Sequence, residues 1–173
     1  MKLLLCRGAG WISQRIAANS PSSIAEDARI SHVACYGIDR CGGLKIVESH
    51  FSTNGVIAYS SFKDWRENNK RSKVWECDYP RAKINDMLIY ARLKVPYGMS
   101  EILANRNDIW ANLLPDSPGV ICSELIAEND DGYIQDWLKG QYGKYYPDHL
   151  IKPVHFQEWA YSNPQSNLRE FNL

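Results

Sequence analysis

Ile30-Ser31-His32-Val33-Ala34-Cys35-Tyr36-Gly37, then Asp39-Arg40-Cys41-Gly42-Gly43, then Leu44-Lys45-Ile46-Val47-Glu48-Ser49 is the stretch that decides the fold. Two runs with alternating apolar positions flank a segment rich in turn-forming residues, which is the pattern of a β-hairpin. Side chains 32, 34 and 36 share one strand face, and 44, 46 and 48 share one face of the next strand. A hairpin centred on Arg40 pairs Tyr36 with Leu44, Ala34 with Ile46 and His32 with Glu48. Directly opposed residues lie about 5 Å apart at Cβ. Glu48 can then accept the second ring N–H of His32 and fix its tautomer. A one-residue slip or a bulge would break the pairing.

Outward from this hairpin, Leu3 to Cys6, Gly55 to Ser60 and Ser72 to Asp78 read as further strands, and Trp11 to Ala18 as a helix that stops at Asn19-Ser20-Pro21. Lys63 to Ser72 reads as a loop. The chain then changes character. Ile84, Met87, Leu88 and Leu93 fall at helical spacing within Arg81 to Leu93. Ser100 to Leu113 reads as a helix, and another should open at Cys122 after Pro118-Gly119. The tail beyond Pro147 carries one more helical segment near Phe156 to Tyr161. Strands early and helices late make an α+β chain, with a central antiparallel sheet packed against helices.

The chain has 173 residues, 45% hydrophobic and 23% charged, which suits one domain over 1–173 with a core of its own. Its formal net charge is zero, so bulk electrostatics do not draw it to nucleic acid. Lys70-Arg71-Ser72-Lys73 is expected to be a solvated loop. Of the five cysteines (Cys6, Cys35, Cys41, Cys77, Cys122) no pair has C-x-x-C spacing. Neither a disulfide framework nor a zinc knuckle is expected, and a reducing compartment fits. Met1 to Cys6 is too short an apolar run for a signal and is followed by Arg7, so cytoplasmic synthesis is expected. No stretch has the length of a membrane span. Glu128-Asn129-Asp130-Asp131-Gly132 lacks the spacing and terminal Glu of a calcium loop and reads as a solvated helix end. No metal and no cofactor is expected.

Pro118-Gly119-Val120-Ile121-Cys122-Ser123-Glu124-Leu125-Ile126-Ala127 places Cys122 in the first positions of an amphipathic helix. Free backbone N–H groups and the positive end of the helix dipole favour thiolate there, and thiolate is the nucleophile. The same N–H groups can hold an oxyanion. The other reading of Cys122 is a small buried residue at a helix start. His32 is the best base for it. His50 shares the strand face of Glu48 and reads as a second polar group or, preferably, a surface residue. His149 and His155 fall in the tail and are expected to be exposed.

Ser31-His32-Val33, then Ile46-Val47-Glu48, then Cys122-Ser123-Glu124-Leu125 resembles the circularly permuted NlpC-type, papain-like cysteine peptidases and amidases. The usual order places the Cys before the His; the order here is the permuted one. Leu3-Leu4-Leu5-Cys6-Arg7-Gly8 and Trp11-Ile12-Ser13 are similar to the start of such domains, notably those of phages and prophages. Tyr146-Pro147-Asp148-His149-Leu150 is similar to a motif that often follows the Cys helix. The resemblance spans about residues 2 to 152. It implies Cys122 as nucleophile, His32 as base and Glu48 as orienter. By the same resemblance, Tyr97 in Pro96-Tyr97-Gly98 is an oxyanion or substrate contact and Ser123 a neighbour of the oxyanion donors. Glu124 is expected to serve the helix start rather than catalysis. The family often has an acid after the Tyr, where Gly98 and Met99 stand here. Amide bonds in peptides, cell-wall peptides among them, are the implied substrates, with delivery of a phage- or prophage-encoded protein to the cell wall, by lysis or by the virion, left open. Lipid acyl transfer or hydrolysis on the same fold, and a catalytically silent phage structural or binding module, are the alternatives. The sequence does not fix the oligomeric state.

Overall fold

In the computed structural model, which describes residues 1–18, 22–70, 72–98 and 119–172, the decisive hairpin is β2 (His32–Ile38) and β3 (Leu44–His50). Its register differs from the expected one. Ile38 pairs with Leu44, Gly37 with Lys45, Tyr36 with Ile46 and Cys35 with Val47, so the turn is centred on Cys41 and not on Arg40. Turn chemistry is the reason. The Asp39 carboxylate accepts the N–H groups of Cys41 and Gly43, each at 2.9 Å, and the Asp39 N–H donates to Gly43 O. Gly42 takes the left-handed conformation (φ 81°) that closes this five-residue loop. A shift of two residues keeps every side chain on its face. Continued inward, this register sets Glu48 beside Ala34, and His50 rather than Glu48 beside His32.

β1 (Lys2–Arg7), β4 (Gly55–Tyr59), β5 (Lys73–Asp78) and β6 (Arg169–Glu170) complete a six-stranded sheet in the order β4-β3-β2-β1-β5-β6. All its neighbours are antiparallel. The helices among the described residues are α1 (Trp11–Ala18), α2 (Phe62–Asn69), α3 (Ile84–Leu93), α4 (Cys122–Ala127), α5 (Tyr133–Tyr142) and α6 (Pro153–Ser162). The fold is thus mixed α and β with an antiparallel sheet, in keeping with an α+β chain. The helix expected over 100–113 lies outside the described residues, as do Met99 and Pro118. None of the described helices is long and apolar enough to cross a membrane.

One face of the sheet, through Leu3, Leu5, Val33, Cys35 and Val47, packs against Met87 of α3, Leu125 of α4, Leu138 of α5 and Phe156 of α6. The other, through Leu4, Cys6, Ala34 and Ile46, packs against Trp65 of α2. α2 replaces the loop expected from Lys63. Its start is capped by Ser61, whose hydroxyl accepts the Asp64 N–H at 3.1 Å, and its apolar residues, Phe62 and Trp65, stand three apart. α4 has only six residues, too few to hold a helix by propensity, and all of them are buried. Burial of Leu125 and Ile126, at roughly 1.5–3 kcal/mol each, holds it on the sheet. α5 was not expected. Its start depends on tertiary partners: Asp130 accepts the Tyr133 N–H at Oδ1, and the Ile134 N–H and the Tyr79 hydroxyl both at Oδ2. Asp130 is therefore a buried cap, and Asp131 pairs with Lys83, in the segment expected to be a solvated helix end.

Two glycines shape the approach to α4. Gly55 has φ 151°, and a Cβ there would stand 2.3 Å from Val95 O. At Gly119 a Cβ would lie 2.7 Å from Pro96 O and from the carbonyl carbon of Tyr97, backbone that has nowhere to yield. Gly119→Ala is expected to cost about 1–3 kcal/mol and to displace the segment before Cys122. Urea unfolding measures it, and an unchanged midpoint would contradict the close approach.

Candidate active site

The site forms where β2 begins, β3 ends and α4 begins. Ser31 ties the start of β2 to the end of β1: its N–H donates to Cys6 O and its hydroxyl accepts the Gly8 N–H. Gln157 of α6 accepts the Ile30 N–H at 3.0 Å. His32 is thereby presented as the first residue of its strand, opposite Cys6.

His32 Nε2 lies 2.8 Å from Glu48 Oε2. Cys122 stands close enough to His32 to act on its ionisation through charge and hydrogen bonding. With Nε2 engaged by the carboxylate, Nδ1 is the nitrogen left for the sulfur. Glu48 is 0% exposed, and its remaining lone pairs are filled. Tyr59 OH donates to Oε1 at 3.1 Å and Trp65 Nε1–H to Oε2 at 2.9 Å. Asn69 Nδ2 lies 3.3 and 3.4 Å from the two oxygens. Burial raises the pKa of this carboxyl, but the His32 bond and charge, His50 and the Trp65 N–H outweigh it and leave it below the usual value.

Burial lowers the pKa of His32. The charge and hydrogen bond of Cys122, followed by those of Glu48, outweigh this and raise it to about 10. The imidazolium then persists through neutral pH. A raised pKa stabilises the fold fully below the ordinary histidine value of 6.5, and this contribution is lost as pH climbs through about 10. Because Cys122 contributes more than Glu48 to this rise, Cys122→Ser is expected to bring the His32 titration well below 10, as followed by NMR of its ring protons. A titration unmoved by the substitution would mean that the sulfur does not face the ring.

Cys122 is 4% exposed, so only small or narrow groups reach it. Its position is held from three sides. Ser49, between Glu48 and His50, donates its hydroxyl to Val120 O at 2.5 Å. Glu124 accepts the Ile121 N–H at 3.1 Å, which is the helix-start role expected of it. Ser123 turns its hydroxyl to Ile151 O at 2.5 Å, so its side chain fastens α4 to the chain after Asp148–Leu150. The Cys122 and Ser123 N–H groups precede the first intrahelical bond, from Leu125 N to Ile121 O, and can face an oxyanion.

Tyr97 bridges Val120, two residues before Cys122, and its ring meets Phe51 edge-on at 5.9 Å. The structure brings Tyr97 to the segment leading into the site. His50 is half-buried with its ring against His32, rather than a surface residue. His155, expected to be exposed, is buried, and its Nδ1 accepts the Lys152 N–H at the start of α6. His149 is half-buried. Tyr59, Trp65, Asn69 and Ser49 were missed in the sequence. The signal for two of them was legible: Ser61-x-x-Asp64 marks a helix start, and 65 and 69 then share one helix face.

In comparison with known proteins, the chain matches no family model and no curated protein.

Proposed function

We propose that the chain is a cysteine hydrolase of permuted papain-like type that cleaves an amide bond through a thioester. The observation that carries this reading is the continuous line from Cys122 through His32 to the buried, donor-saturated Glu48. With the thiol proton already resting on His32, Cys122 Sγ attacks the carbonyl carbon. The oxyanion forms beside the first N–H groups of α4. His32 returns the proton to the departing amine, and the C–N bond breaks to leave an acyl thioester. Water activated by His32 then releases the acid and frees Cys122. Glu48 keeps the imidazole in one tautomer throughout. Peptides, including those of the cell wall, are the proposed substrates.

One observation favours a second substrate class on the same chemistry. Phe51, 49% exposed, and Tyr97 form an aromatic pair joined to the strand before Cys122, a surface suited to an acyl chain. Incubating the protein separately with cell-wall peptides and with lipid esters, then weighing the Cys122 peptide after an acid quench, separates the two. An acyl adduct from peptides supports the amidase, and one from lipids supports the acyl hydrolase or transferase. No adduct from either removes both and leaves a silent binding module.

A further inference from the structure

His50 is two residues beyond Glu48 and is not needed for the line of bonds just described. Yet it is held as firmly as its members. The Ser52 N–H lies 3.1 Å from His50 Nδ1, and the Ser52 hydroxyl oxygen lies 2.7 Å from the same nitrogen. A backbone N–H can only donate, so Nδ1 carries no proton and the neutral ring bears its hydrogen on Nε2. The turn that supplies Ser52, Phe51–Thr53, is closed by Asn54 in the left-handed region (φ 54°). So anchored, the His50 ring stands edge-on to His32, with centroids 5.1 Å apart and planes at 86°.

This geometry meets a need that the hydrogen bonds leave open. The Glu48 bond at Nε2 fixes one end of the His32 ring, and Cys122 engages the ring as well. They do not stop the ring from tilting about the line that joins Cys122 to Glu48. A second ring packed perpendicular to the first removes that freedom, because tilting drives one into the other. We propose that His50 is a positioning residue that holds the plane of the His32 imidazole, with Ser52 as its anchor. The proposal rests on the reading of Cys122 and His32 as nucleophile and base. It requires the ring of His50 above all; the Ser52 bond to Nδ1 adds to the hold that packing already gives.

The test is the rate at which iodoacetamide modifies Cys122 at neutral pH, measured by mass spectrometry on the Cys122 peptide, with the exposed Cys41 as internal reference. His50→Ala is expected to slow the reaction on the order of ten-fold, part of the roughly hundred-fold that a full 1 Å misplacement of a reacting group can cost. His50→Phe, which restores a ring without nitrogens, is expected to recover most of the rate, and His50→Gln, polar but ringless, to stay slow. A merely structural role would not sort the variants by ring. If His50→Ala does not fold, the comparison of Phe with Gln still decides. A wild-type rate in His50→Ala, or Phe as slow as Gln, would overturn the proposal. His32→Ala in the same series separates the two claims. If it slows Cys122 and His50→Ala does not, only the role of His50 falls. If it leaves the rate unchanged, the base assignment falls and His50 with it.

Discussion

Glu48→Ala is expected to cost about 3–5 kcal/mol of stability, the range for removing one partner from a buried charged pair. The carboxylate has no contact with water, and four side chains point donors at it. Alanine leaves the His32 imidazolium, the Trp65 N–H, the Asn69 amide and the Tyr59 hydroxyl buried without their acceptor, and each loses its solvation as well as its bond. Glu48→Gln keeps the volume and one acceptor oxygen, and is expected to fall between the two. Linkage gives an independent check. The Glu48 pKa is lowered in the fold, so its stabilisation is present above the ordinary value of 4.5 and is lost as pH falls through the lower folded value. The acid limb of the stability profile should therefore flatten in Glu48→Ala. Urea unfolding from pH 3 to 8 reads both effects, and a cost below about 1 kcal/mol would show that the carboxylate is solvated.

The same residues show what could be read without coordinates. His32 and Glu48 were placed on one sheet face by the period of two alone, and a register error of two residues does not change a face. The register itself depended on Asp39, whose carboxylate gathers the N–H groups of Cys41 and Gly43 and tightens the loop. An Asp ahead of two glycines permits that turn without dictating it. Cys122 at a helix start was legible because Pro118-Gly119 precedes an amphipathic run. What holds Cys122 was not legible. Ser49 reaches Val120 across 71 positions, and Ser123 reaches Ile151 across 28, and no local pattern carries such distances. His155 differs from its expected exposure because Tyr142 and Tyr146 pack against its ring, a tertiary fact, while its bond to the Lys152 N–H turns it back onto the start of α6. The α2 helix is the opposite case: its Ser61 cap and its Trp65 are local signals, and they mark a helix where a loop is expected.

The second large effect concerns reactivity. If His32 keeps Cys122 in its nucleophilic form, then His32→Ala removes both the base and the neighbouring positive charge. A loss of about two orders of magnitude or more is expected, the range for a positioned acid–base group. The fold should tolerate the change less well below pH 6.5, where the imidazolium bound to Glu48 contributes fully, than near pH 10, where that contribution is fading. The most direct test of the central claim is the rate of Cys122 alkylation against pH in the wild type and in His32→Ala. A fast wild-type reaction at pH 7 that nearly disappears in His32→Ala is the predicted result. A slow reaction that is the same in both proteins would contradict the account and leave Cys122 a buried structural thiol.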